Sequence, residues 1–138
     1  MLIWDAHLDL AFLALNANRN LLDPVEKTRA KERQFPGCLP PNWRGAGEGT
    51  VAFPEMRTGR VAVSFPTLLS GVSRHCNPYV DYETVYQSYG IAHGHLAYYR
   101  ALEQAGIARI LTTLPQLESH IAEWEAWEKV GGNTDNAP

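Results

Sequence analysis

The chain has 138 residues, 45% hydrophobic and 20% charged, with a formal net charge of −3. That is the composition of an ordinary globular domain, and it excludes disordered and collagen-like chains. The net charge is too small to argue for a nucleic-acid partner, and no stretch approaches the roughly 20 apolar residues of a membrane span.

The first predicted element is an apolar strand that ends in polar groups: Leu2-Ile3-Trp4-Asp5-Ala6-His7-Leu8-Asp9-Leu10. Asp5, His7 and Asp9 stand at alternate positions, and alternate residues of a strand share a face. His7 and Asp9 are then roughly 6.6 Å apart at Cα, an imidazole and a carboxylate aimed the same way. Zinc accepts both ligand types, so the pair is read as half of a metal site. Ala6 and Leu8 are expected to face the other side and pack. The plainer reading is a strand-end histidine hydrogen-bonded to a neighbouring carboxylate, since His-x-Asp is frequent by chance. Its position favours the metal reading. The strand is followed at once by a helix-like apolar run (Leu10, Phe12, Leu13, Leu15), and barrel enzymes keep their chemistry at the carboxyl ends of such strands.

That short helix is expected over residues 10–17, fading at the asparagines Asn16, Asn18 and Asn20, which favour turns. Asp23 as N-cap and Pro24 at the first helical position would open a second helix, which residues 25–33 continue. Its charges alternate in sign and it carries few apolar residues, the pattern of a solvated surface helix. Residues 34–52 form a loop broken by Pro36, Pro40, Pro41 and several glycines. With residues 66–81, it is expected on the catalytic side, with Trp43 and Arg44 as its contact residues at the pocket rim. A loop merely packed over the surface accounts for it as well.

One helical turn at 55–58, stopped by Gly59, leads to a second strand at 61–65, a β-branched and aromatic run (Val61, Val63, Phe65). The following loop contains His75 and Cys76. Adjacent side chains do not both reach one ion, so His75 is read as a loop histidine. The strongest helix spans about 82–105, with Val85, Tyr89, Ala92, Leu96, Tyr99 and Leu102 at the spacing of one buried face. Its histidines His93 and His95 fall on different faces and are read as structural or solvated. Gly106 is a good stop. A third strand is predicted at 107–113, then a helix over 116–129 with Leu117, Ile121 and Trp124 on one face. Gly131-Gly132-Asn133 ends it, and residues 133–138 are expected to be a disordered tail.

The order βα, β, βα with long connections predicts parallel strands. Cys38 and Cys76 are expected to be free thiols of a cytoplasmic chain, because no cationic and then apolar leader is visible.

Trp4-Asp5-Ala6-His7-Leu8-Asp9-Leu10 resembles the opening of the membrane dipeptidase (renal dipeptidase) family of zinc peptidases, where an apolar strand ends in Asp-Gly-His-Asn-Asp-Leu. Ala6 stands for the family's glycine and Leu8 for its asparagine. The resemblance runs over essentially the whole chain but only the first part of the family's length. It implies the N-terminal portion, about three βα units, of a metal-dependent-hydrolase (β/α)8 barrel, with residues 1–138 as a single incomplete domain. It also implies a metallopeptidase that hydrolyses dipeptides through a metal-activated hydroxide at two zinc ions. Only His7 and Asp9 carry over as metal ligands. The bridging glutamate, the further histidine ligands, the substrate-binding histidine and the catalytic aspartate are expected beyond Pro138. The partner so implied is the remainder of the barrel, in the same parent protein or in a second chain, and the chain alone is expected to be inactive. An open sheet edge also admits a homo-oligomer. Another metal-dependent amidohydrolase on the same barrel, or a non-catalytic α/β interaction domain, stands as the alternative.

Overall fold

A computed structural model describes residues 2–39, 45–72, 81–133 and 137–138. Chain order runs β1 (Ile3–Leu8), α1 (Leu10–Leu15), α2 (Val25–Gln34), a 3-10 turn (Pro36–Cys38), α3 (Phe53–Thr58), β2 (Val61–Pro66), β3 (Gly71–Val72), β4 (Asp81–Tyr82), α4 (Val85–Gln104) and α5 (Leu114–Lys129). The architecture is mixed α/β, with two parallel two-stranded sheets among the described residues. Trp43, Arg44, His75, Cys76 and the side chain of Cys38 lie outside those residues, so the expectations placed on them are not addressed.

β1 and β2 pair in parallel, as the long connection between them demands. The register slips twice, once after Ile3 and once between Asp5 and Leu8. The slips cancel, since Ile3 stands opposite Val61 and Leu8 opposite Pro66. They break strict alternation along β1. Leu8 packs against the core while Ala6, expected to pack with it, is exposed. A bulge re-aims side chains and is a frequent neighbour of functional groups. This one lies between Asp5 and Leu8, so it contains His7 and ends one residue before Asp9.

The core is built where α1, α3 and α4 meet: Leu10, Leu21, Phe53 and Leu102 are buried together, with Leu8, Met56, Tyr99 and Ile107 packed on them. α4 begins with a reciprocal capping box. The Thr84 hydroxyl accepts from the Gln87 backbone N–H, and the Gln87 side chain accepts from the Thr84 N–H. It ends in a Schellman motif. Gly106 takes φ +69°, its N–H donates to Glu103 O, and the Ile107 N–H donates to Leu102 O. α5 repeats both devices, with Thr113 and Gln116 at its start and Gly131 and Gly132 at its end. A Cβ on Gly132 would stand 2.5 Å from the Trp127 ring, so only glycine fits there.

Three expectations need correction. The expected buried face of α4 holds from Ala92 to Leu102 but fails at its start, where Val85 and Tyr89 are 65% and 67% exposed. The face that packs carries His95 and Leu102, with Ala92, Leu96 and Tyr99 half-buried. The first two turns run past the core, and there the Tyr89 ring packs against His93 at a tilt of 45°, with ring centroids 4.1 Å apart.

The third strand does not form among the described residues. Residues 107–113 pair with no strand among the described residues. Side chains occupy their backbone donors: Ile110 N–H bonds Glu103 Oε1 at 2.8 Å and Thr112 N–H bonds Gln116 Oε1 at 2.8 Å. Between this segment and β2 is an apolar cavity of about 780 Å³, lined by Val63, Phe65, Leu96, Ile107, Leu111 and Leu117 among others. Ala137 and Pro138 of the expected tail also line it.

α2 is not simply solvated. Glu32 is buried and accepts from Arg19 Nε at 2.7 Å, from Arg19 Nη2 at 3.1 Å and from the Gly47 N–H at 2.7 Å. Arg29 and Arg33 donate to the carbonyls of Gly49 and Gly47. An alternating charge run cannot tell a solvated face from one whose charges hold a loop. The helix also starts one residue later than predicted, with Pro24 as N-cap, and the Asp23 carboxylate instead accepts from Lys27 Nζ.

Candidate metal centre

The sheet places its polar groups at one end. His7 is the penultimate residue of β1, Asp9 stands between β1 and α1, and Thr67 directly follows β2. Because the strands are parallel, all three gather at the carboxyl end of the sheet. The Thr67 N–H donates to the Leu8 carbonyl at 2.9 Å, extending the ladder one residue beyond the strands.

His7 Nε2 lies 3.4 Å from Asp9 Oδ1. The imidazole is 73% exposed and the carboxylate 35% exposed, so the pair faces outward. Zinc–nitrogen bonds of about 2.0–2.1 Å and zinc–oxygen bonds of about 2.0–2.2 Å give a tetrahedral donor–donor edge of about 3.3–3.5 Å. The observed separation matches that edge, so the two residues fit one zinc ion. The same separation also serves a plain imidazole–carboxylate contact. Asp5 does not join the pair as a third ligand: its Oδ1 accepts from the His7 backbone N–H at 3.0 Å. Among the described residues, no group of three or more His, Cys, Asp or Glu side chains converges as a metal site.

Asp9 is held from behind. Thr67 Oγ1 donates to Asp9 Oδ1 at 2.5 Å. Tyr99 Oη donates to the Thr67 carbonyl at 3.0 Å and accepts from the Ala11 N–H at 3.0 Å. One phenol on α4 thereby ties the start of α1 to the end of β2. Burial pushes this phenol up from its usual value, and the nearby Asp9 charge adds to the effect. Tyr99 therefore stays protonated and able to donate through the neutral range.

His93 and His95 hold no place at this centre. His95 is buried, and its Nε2 lies 3.0 Å from Asn16 Oδ1. Asn16 Nδ2 in turn donates to Tyr82 Oη, so Oδ1 is the acceptor and His95 carries its proton on Nε2. Nδ1 is buried without a partner among the described residues, and burial holds the imidazole pKa below its ordinary value. This histidine joins α4 to the end of α1. His120 plays the same part on α5, with Nε2 2.8 Å from the Ala62 carbonyl of β2.

Thr67 and Tyr99 were not singled out from the sequence as site residues. Thr67 was legible by position, since it immediately follows the second strand at the end where polar groups act. Tyr99 reads as one more apolar residue of a helical stripe, and only the tertiary fold sets its hydroxyl against Thr67.

No protein-family model, curated protein or solved structure matches the chain. No helix among the described residues is long and apolar enough to cross a membrane.

Proposed function

We propose that the chain is the N-terminal part of a binuclear zinc dipeptidase built on a (β/α)8 barrel, in which His7 and Asp9 form half of one metal site. One observation carries the reading: His7 Nε2 and Asp9 Oδ1 stand 3.4 Å apart, at the carboxyl end of a strand in a parallel sheet. The resemblance of residues 4–10 to the dipeptidase opening supports it.

In this reading zinc supplies the Lewis acidity and the water activation that amide hydrolysis needs near neutral pH. The chain's own residues position it. His7 offers an imidazole nitrogen from a strand held by its parallel neighbour. Asp9 offers a carboxylate that offsets part of the dication's charge. Two ligands are fewer than the three that catalytic zinc sites ordinarily take from protein, so the remaining ligands and the catalytic groups come from the rest of the barrel, in the parent protein or a second chain. The cavity beside β2 is apolar and wide enough to receive further barrel elements. The protein acts in the cytoplasm on dipeptides or similar small amides, and nucleic acid is not a partner.

The test is reconstitution. Alone, the chain should hydrolyse no dipeptide in the presence of zinc. Expressed with the remaining barrel strands it should do so, and His7→Ala should abolish the activity. Reconstituted activity that survives His7→Ala would refute the assignment.

A further inference from the structure

The carboxylate of Asp9 is not free to turn. One of its oxygens, Oδ1, accepts from Thr67 Oγ1 at 2.5 Å and is the same atom that lies 3.4 Å from His7 Nε2. A carboxylate oxygen has two lone-pair directions. The Thr67 hydroxyl takes one, and the other remains for a cation shared with His7. Thr67 is itself fixed at both ends of its backbone: its N–H donates to Leu8 O, and its carbonyl accepts from Tyr99 Oη. Tyr99 is locked in turn, because its oxygen also accepts from the Ala11 N–H. Every link is a single hydrogen bond between groups from β1, α1, the end of β2 and α4. The bond to Asp9 comes from a residue 58 positions away in sequence, so the folded pairing of β1 with β2 creates it.

We infer that Thr67 is a positioning residue for Asp9, its hydroxyl holding the carboxylate in the orientation that meets a divalent cation together with His7, and that Tyr99 holds Thr67 in place. The inference rests on the metal reading above and adds to it the outer partner that a metal-ligating carboxylate ordinarily has. It also explains why a polar residue follows β2 directly. A hydroxyl is needed there, and serine would serve as well as threonine, whereas the isosteric valine would not. Tyr99 bonds neither Asp9 nor His7 directly, and acts on Asp9 through its bonds to Thr67 and to Ala11.

The experiment compares the chain with its Thr67→Val, Thr67→Ser, Tyr99→Phe and His7→Ala variants. Binding of Zn²⁺ is followed by calorimetry, and binding of Co²⁺ by its visible absorption. Thermal unfolding without metal serves as the measure of folding. Removing an outer partner of a metal ligand typically weakens metal binding by about 10- to 100-fold. Thr67→Val is expected to weaken His7-dependent binding by about that factor and to alter the Co²⁺ spectrum, while Thr67→Ser restores both. Tyr99→Phe is expected to fall between them. A merely structural role would lower the unfolding temperature of Thr67→Val and leave the affinity of the folded protein and the Co²⁺ spectrum unchanged, which would overturn the inference. If Thr67→Val fails to fold, the Tyr99→Phe and Thr67→Ser spectra decide. Full wild-type affinity and spectrum in Tyr99→Phe would refute the relay. Metal binding that His7→Ala leaves intact would overturn the metal reading itself, an outcome distinct from intact His7-dependent binding in Thr67→Val.

Discussion

Replacing Glu32 with alanine should destabilise the fold more than any other single loss of charge on α2. The Glu32 side chain is 2% exposed and that of its partner Arg19 is 8% exposed. The carboxylate accepts three hydrogen bonds, two from Arg19 and one from the Gly47 N–H. Truncation leaves a buried guanidinium without its counter-charge and a buried amide without an acceptor. Breaking a buried pair by removing one partner costs about 3–5 kcal/mol. Against a total stability of about 5–15 kcal/mol for a domain, that is a large share. At about 4 °C per kcal/mol for a domain of this size, the midpoint should fall by about 12–20 °C. Urea titration of wild type and Glu32→Ala measures the loss, and an unchanged slope shows that the unfolded state is unaltered. The double variant Arg19→Met, Glu32→Leu should recover much of the loss, because an apolar pair carries no uncompensated charge. A Glu32→Ala loss below about 1 kcal/mol, the size typical of exposed pairs, would show that the pair is hydrated in solution and that α2 is the solvated helix its charge pattern suggests.

The packed face of α4 is tested by contrast. Leu102→Ala should cost about 2–5 kcal/mol as a large-to-small change in the core, whereas Tyr89→Ser should stay within about 0.5 kcal/mol as an exposed substitution; similar losses at both sites in urea titration would restore the face centred on Tyr89. His95 gives a pH dependence of known sign. Burial depresses its folded pKa below the ordinary 6.5, so above about pH 6.5 its stabilising contribution is fully present, and as the pH drops below 6.5 the unfolded chain takes up the proton first and stability is lost until the folded pKa is passed. Urea titrations at several pH values between 8 and 5 (roughly the histidine range) should show a steeper decline for wild type than for His95→Gln, and equal slopes would show that His95 is accessible to protons in the folded state.

Much of the fold was legible because local signals agreed. The apolar run ending at His7, the glycine before Val61, and Gly106 and Gly131 as stops each mark an element boundary that the structure places within a residue or two. The capping boxes Thr84–Gln87 and Thr113–Gln116, signals not read from the sequence, set two helix starts at Val85 and Leu114. What was not legible depends on tertiary partners. Residues 107–113 have strand composition, yet a strand needs a neighbour, and Glu103 and Gln116 instead take three of the segment's backbone donors. The stripe on α4 is apolar over a wide arc, so periodicity could not say which part of it meets α1. At the site, spacing predicted that His7 and Asp9 would approach. It could not predict Thr67 or Tyr99, whose contacts with Asp9 and with each other cross between elements far apart in sequence.

Calorimetric titration of the chain with zinc, alongside His7→Ala and Asp9→Ala, tests the central claim most directly. A half-site of two ligands, completed by water, should give weak binding that either substitution removes, since two protein ligands fall short of an ordinary zinc site. A tight stoichiometric site that His7→Ala leaves unchanged, or no binding that depends on His7 and Asp9, would contradict the claim and leave the pair as an imidazole–carboxylate contact at the end of a strand.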